Sequence, residues 1–199
     1  MIYERKFWLG TIFGGAMCSF MAIMLGGMAA AQPQTEVKPN EDSQELATLY
    51  DEDQADRAGK IQEINLAVLG PRDKLREARL KTLYASDKIR SGKDYYRAAM
   101  ILQHAGKPEA HLLAHEFCVV ALSMGERKAR WLAAATEDRF LVNIGRPQRF
   151  GTQFRSSNLN QPPFKLQPVD PNVTDGLRRA LEVPTLEGTR ALEAKLNEK

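Results

Sequence analysis

The residues of this chain that carry chemistry sit at helical spacing. Leu46, Leu49, Tyr50, Asp53 and Arg57 fall on one stripe at steps of three and four, with Gln54 beside them. Leu112, His115, Val119 and Leu122 form a second stripe, and Trp131, Ala135, Asp138 and Val142 a third. Each stripe is mainly apolar yet holds at least one ionisable group. Burying such a face carries the charge inward, where an unpaired charge is costly or changes its protonation state. The groups must therefore find one another. Pairing Asp53 with Arg57 and Asp138 with His115 gives a structural network. The same arrangement also describes a site, because a histidine held by a carboxylate serves as general acid or base. His104, His115 and Asp138 are the catalytic candidates on that reading.

The loop "RPQRFGTQF" at 146–154 follows a long apolar run and is dense in hydrogen-bonding groups. Gly145 and Gly151 let its backbone turn back over the helix ends. Gln148, Thr152 and Gln153 are then expected to cover the polar cluster as a lid and to orient a ligand, with Arg57 or Arg139 holding an anion. No nucleophile elbow, phosphate loop or other strong catalytic motif occurs in the chain. His111, His115 and Cys118 lie at i, i+4 and i+7, with His104 nearby in sequence, a spacing that can chelate zinc. The order "HLLAHEF" is not HExxH, and a lone thiol outside the cytoplasm is an unusual ligand. Packing is the reading adopted, with no metal and no cofactor expected.

Helices must position these groups. Asp42 with Glu45 reads as a capping pair for a helix from about Ser43 to Ala58, and a further segment, helical or not, reaches about Leu69. Gly70-Pro71 reads as a break, with Pro71 opening the next helix. Ser91 with Asp94 caps another, Pro108 opens a fourth, and the run 127–144 closes at Gly145 and Pro147. No stretch alternates with period two, so no strand is expected. After Phe154, "RSSNLNQPPFKLQPVDPN" carries four prolines and reads as an extended strap. Thr174 and Thr185 start two short final helices; the Thr174 cap is preferred to a glycosylation reading of Asn172-Val-Thr174. "AAMILQH" at 98–104 and "AAATEDR" at 133–139 echo each other 35 residues apart, a spacing like that of tetratricopeptide or Sel1-type repeats. The expected fold is all-α: a compact bundle of tetratricopeptide- or Sel1-like hairpins over 43–155, with the strap and short helices of 156–199 packed on it.

Composition narrows the partners. The 28 Lys+Arg against 25 Asp+Glu are too balanced for a general nucleic-acid binder. The run Arg72–Arg97 is locally basic and is expected to be a solvated face. At the N-terminus, Arg5 and Lys6 precede an uncharged stretch from Phe7 to Ala31, and Ala29-Ala30-Ala31 stands before Gln32. Residues 1–31 fit a cleaved signal peptide or an uncleaved membrane anchor, and 32–42 a polar linker. Both readings put everything after Gln32 outside the cytoplasm.

Taken together, "YDEDQADR", "DYYRAAMILQH", "LLAHEFCVVAL", "ARWLAAATEDRFLVNIGRPQRFGTQF" and "VTDGLRRALEVP" resemble a bacterial family catalogued as a domain of unknown function. The resemblance covers roughly residues 45–190. It implies that Asp53, Gln54, Arg57, Gln103, His104, Asp138, Arg139, Gln148, Gly151, Thr152 and Gln153 are signature positions, and it implies no activity. The expectation is an extracytoplasmic helical binding or scaffold protein for a protein, peptide or envelope component, not for nucleic acid. It touches a membrane only through an uncleaved N-terminal segment. The alternative is a small hydrolase or transferase-like enzyme using His104 or His115 with Asp138.

Overall fold

The structure, a computed structural model, describes residues 42–59, 65–158 and 161–198. Residues 1–31, expected as a signal peptide or anchor, all of the expected linker but Asp42, and residues 60–64, 159–160 and 199 lie outside the described residues. What is described is mainly helical: α1 Gln44–Ala55, α2 Leu66–Ala85, α3 Gly92–Leu102, α4 Pro108–Ser123, α5 Ala129–Asn143, then strands β1 Phe154–Asn158 and β2 Gln161–Leu166, and helices α6 Asp175–Ala180 and α7 Leu186–Leu196. Among the described residues no helix is long and apolar enough to cross a membrane.

The helix starts follow side-chain capping. Ser43, not the expected Asp42–Glu45 pair, caps α1 by accepting from the Leu46 amide. Its own amide donates to Asp94, at 2.9 Å from Oδ1, which binds the start of α1 to the start of α3. Ser91 and Asp94 form the expected capping box, and Pro108 opens α4. Gly70-Pro71 does not break the chain. Asn65 caps α2 upstream, and the helix runs through Pro71. The proline costs one hydrogen bond, to the carbonyl of Ala67, and Ala67 is exposed, so water can replace the missing donor.

α4 packs between α3 and α5. Its buried face is Ala110, His111, Ala114, Phe117, Cys118 and Ala121. The predicted stripe is therefore rotated: Leu112 is 41% and Val119 52% exposed, and on α5 Trp131 is 43% exposed. The reason lies in composition. α4 is apolar nearly all round, so periodicity selects no face, and the alanine-rich side lets neighbouring helices come close. Leu46, Leu80, Ile101, Leu102, Phe117 and Leu132 fill the main core.

The strap is a β-hairpin rather than an unpaired extension. β1 and β2 pair antiparallel, with Phe154 opposite Leu166 and Ser156 opposite Phe164. Side chains of α7 bond to β2: Asn197 accepts from the Phe164 amide at 2.7 Å and donates to its carbonyl at 2.8 Å, and Glu193 accepts from the Leu166 amide at 2.8 Å. Only Phe164 of β2 is buried, so the strand shows none of the alternation that marks one in sequence. Thr174 and Thr185 cap α6 and α7 as expected.

Candidate functional site

Asp53 on α1 is fully buried. Arg57 reaches back one turn and donates to its Oδ1 at 2.7 Å, while Gln54 donates to Oδ2 at 2.9 Å. Arg57 also holds Asp73 of α2 at 2.7 Å. Arg76 completes the lattice, with 2.7 Å to Asp56 and 2.8 Å to Asp73, and its Nε stands 3.7 Å from Asp53. Six of the nine basic side chains of 72–97 are exposed, as expected, but Arg76 is buried and makes the helix the cationic half of an α1–α2 seam, to which the more exposed pairs Arg79–Glu45 and Arg72–Asp56 add. Arg72, Arg76 and Arg79, at i, i+4 and i+7, carried that signal. Burial pushes the Asp53 carboxyl up to about 6, against the pull of Arg57 and Arg76.

His104 comes next. Its Nε2 lies 3.7 Å from Asp53 Oδ2, beyond hydrogen-bonding distance, and is buried without a partner. Burial first, then the charges of Arg57, Arg139 and Arg76, holds its pKa well below the ordinary histidine value. The imidazole is neutral at pH 7. It lines a cavity of about 360 Å³ together with Gln103, His111, Arg139, Asn143 and Gln153.

Arg139 reaches this cavity from α5. Its Nε donates to Gln153 Oε1 at 3.1 Å, and its Nη1 to the Gln103 carbonyl at 2.6 Å and to Gln103 Oε1 at 3.3 Å. All three acceptors are neutral. Among the described residues no carboxylate lies within salt-bridge distance of it. Burial, and then the charge of Arg57, pulls its pKa down to about 10, so it stays charged at neutral pH. His111 is 2% exposed. Its Nδ1 meets the Asn143 amide nitrogen at 3.0 Å, while Asn143 Oδ1 takes Arg155 at 3.1 Å. That arrangement makes the Asn143 amide the donor to Nδ1 and leaves the proton of neutral His111 on Nε2, a buried donor with no partner. Burial pushes the His111 pKa down to about 4.

The loop after α5 closes over Asp138 as expected, but mostly through its backbone. Asp138 accepts from the amides of Arg149, Phe150 and Thr152 at 2.6, 2.9 and 3.0 Å, and from the Thr152 hydroxyl at 2.8 Å. Gly151 permits the turn: its φ is +81°, and a Cβ there would stand 3.2 Å from Thr189 Cγ2. Gln148 is spent within the loop and strap, bonding the Gln153 amide and carbonyl and the Gln167 carbonyl. Gln153 Nε2 donates to Thr152 Oγ1 at 3.0 Å, so a chain of hydrogen bonds runs from Asp138 through Thr152 and Gln153 to Arg139.

One expected association fails. His115 does not pair with Asp138: its Nδ1 meets the Ala133 carbonyl at 3.0 Å, and the four donors of the loop occupy the carboxylate. His111, His115 and Cys118, whose spacing is compatible with chelation, do not converge. Their side chains serve separate contacts, and among the described residues no group of three or more His, Cys, Asp or Glu is placed to hold a metal. Asp53, Gln54, Arg57, Gln103, His104, Arg139 and Gln153 form one continuous set. Asp138, Thr152 and Gln148 support it from behind. Sequence reasoning missed Asp73, Arg76, Asn143 and Arg155, and read His111 only as packing. Comparison with protein-family models, with curated proteins and with solved structures finds no match for this chain.

Proposed function

We propose that this is an extracytoplasmic helical binding protein for a small anion, held in the cavity of Arg139, His111 and His104. The observation that carries the reading is the Arg139 guanidinium, partly buried, charged, and bonded only to neutral oxygens. A buried charge without a counter-ion is unfavourable, and a bound anion removes that cost. Among the described residues Arg139 Nη2 makes no hydrogen bond, and the buried Nε2 of His111 lines the same cavity. The lattice around Asp53 fixes Arg57 in place, and its positive charge raises the potential at the cavity. The paired helices α3–α4 and α4–α5 are a rigid mount for the site, of tetratricopeptide-like kind on this reading. Calorimetric titration of the full chain with acetate and with inorganic phosphate tests it. Binding that falls by about 10- to 100-fold in Arg139→Gln is expected, as for loss of a hydrogen bond to a charged group. No binding, or binding indifferent to Arg139→Gln, overturns it.

The juxtaposition of His104 and Asp53 favours a second reading, an enzyme of hydrolase or transferase type. The pair would then be His104 with Asp53, not His115 with Asp138. Turnover of simple carboxylic or phosphoric esters that His104→Gln abolishes, with anion binding retained, is what that reading requires.

A further inference from the structure

The carboxylates of Asp53, Asp56 and Asp73 are held unequally. Asp56 has Arg72 on one oxygen and Arg76 on the other, and Asp73 has Arg76 and Arg57. Asp53 Oδ1 takes Arg57, but Oδ2 accepts only from the neutral amide of Gln54. Facing that oxygen at 3.7 Å stands His104 Nε2, itself buried without a partner. An added proton closes the gap. Carried on Oδ2 it is donated to the ring nitrogen; carried on Nε2 it is donated to the carboxylate. His104 lines the cavity of Arg139 and Asp53 does not, so the imidazole links the two.

We infer that an anion enters this cavity together with a proton, which the Asp53–His104 pair takes up. The inference rests on the anion-binding reading and concerns the regulation of that same site. The charged and titratable groups around the pair are Arg57 just after α1, Asp73 and Arg76 of α2, His111 of α4 and Arg139 of α5, with Arg155 of β1 lining the cavity. The arginines are already protonated, and Asp73 is held on both oxygens. His111 has Nδ1 taken by Asn143, and its Nε2 carries its own proton. That leaves the pair as the acceptor. A negative charge in the cavity repels the Asp53 carboxylate and offsets Arg139, whose charge helps to keep His104 neutral. Both effects draw a proton to the pair, which titrates as a unit. By linkage, binding that takes up a proton strengthens as pH falls. Burial has already pushed the Asp53 carboxyl up to about 6, and a bound anion raises it further. The gain is therefore full below about pH 6 and is lost as pH rises through the higher value of the loaded site.

Calorimetric titration of the full chain with acetate and with sulfate between about pH 6 and pH 8 tests this, because neither anion takes up a proton in that range. Affinity is expected to rise about fivefold from pH 8 to pH 6, as for a pKa that binding raises by about 1. At about pH 6.5, heats measured in two buffers of different ionisation enthalpy should report roughly half a proton taken up per anion. Asp53→Asn cannot titrate and should make the heat independent of buffer. If that variant fails to fold, His104→Gln decides, because its amide donates to Asp53 and holds the carboxylate ionised. Proton uptake that persists in the variant belongs to another group and overturns the inference. Constant affinity with buffer-independent heat overturns it too and leaves the anion site standing. Refusal of both acetate and sulfate also overturns it; refusal of inorganic phosphate as well overturns the anion-binding reading.

Discussion

Arg178 and Asp138, both fully buried, meet through a single residue. Arg178 Nη1 donates to the Phe150 carbonyl, and the Phe150 amide donates to Asp138 at 2.9 Å. The backbone of residue 150 thus stands between a buried cation and a buried carboxylate. Arg178 has one weak ionic partner of its own, Asp175 at 3.5 Å, and its Nε and Nη2 are buried without hydrogen bonds. The pairing locks the 148–153 loop between α5 and α6 and sets Gln153 where Arg139 needs it. Asp138→Asn tests how much depends on that lock. The amide keeps one acceptor oxygen and turns an NH2 toward N–H donors, which leaves at least one buried donor orphaned. A cost of about 2 to 4 kcal/mol is expected. At roughly 2 to 4 °C per kcal/mol for a chain of this size, calorimetry should show Tm falling by about 5 to 15 °C. An unchanged Tm would mean that the carboxylate does not hold the loop.

The buried titratable groups predict how stability depends on pH, and their signs differ. Asp53 has its pKa raised from 3.8 to about 6, so the native state holds that proton more tightly than the unfolded chain. Its share of stability, about 3 kcal/mol, is full below about pH 4 and is lost as pH rises through about 6. His111 is lowered from 6.5 to about 4. Its share, also about 3 kcal/mol, is full above about pH 6.5 and is lost as pH falls toward about 4. His104 has the same sign as His111. Two histidines against one aspartate make stability rise with pH across that window. Urea unfolding at several pH values should show this, and His111→Leu should flatten the curve. Parallel curves for the two proteins would rule out His111 as a contributor.

Asn197 plays the part of a neighbouring strand for β2, satisfying both the amide and the carbonyl of Phe164. Asn197→Ala should cost about 1 to 3 kcal/mol through those two groups. Hydrogen exchange localises the effect. The Phe164 amide should lose protection, while amides in α3, α4 and α5 keep theirs. Loss of protection throughout the helices would show that α7 supports the whole fold rather than the hairpin.

Much of the site was legible in residue spacing. Asp53 and Arg57 at i,i+4, with Gln54 beside them, gave the α1 cluster, and the crowding of amides after α5 gave the lid. Arg76 was not legible, because a run with nine basic residues looks solvated until α1 brings its acids alongside. His104 and His111 flank a turn and face the cavity from either side of it, which no periodicity reports. His115 sat on the more conspicuous stripe and went elsewhere. The β-hairpin escaped because only Phe164 of β2 is buried, so no alternation marks the strand, and its outer edge is bonded by side chains of α7, far along the chain.

Local chemistry settles what lies within a few residues: the Ser91–Asp94 capping box, Pro108 at a helix start, and the threonine caps of α6 and α7 each need only neighbouring backbone. Those features, and the mainly helical character they produce, follow from the sequence alone. Which face of α4 is buried, which carboxylates meet which arginines, and whether a charge is left without a counter-ion depend on residues tens of positions apart. Only the packed tertiary structure decided that backbone amides of the loop would hold Asp138 and that Arg139 would face a cavity, because burial and pairing belong to the assembled interior and not to any single helix.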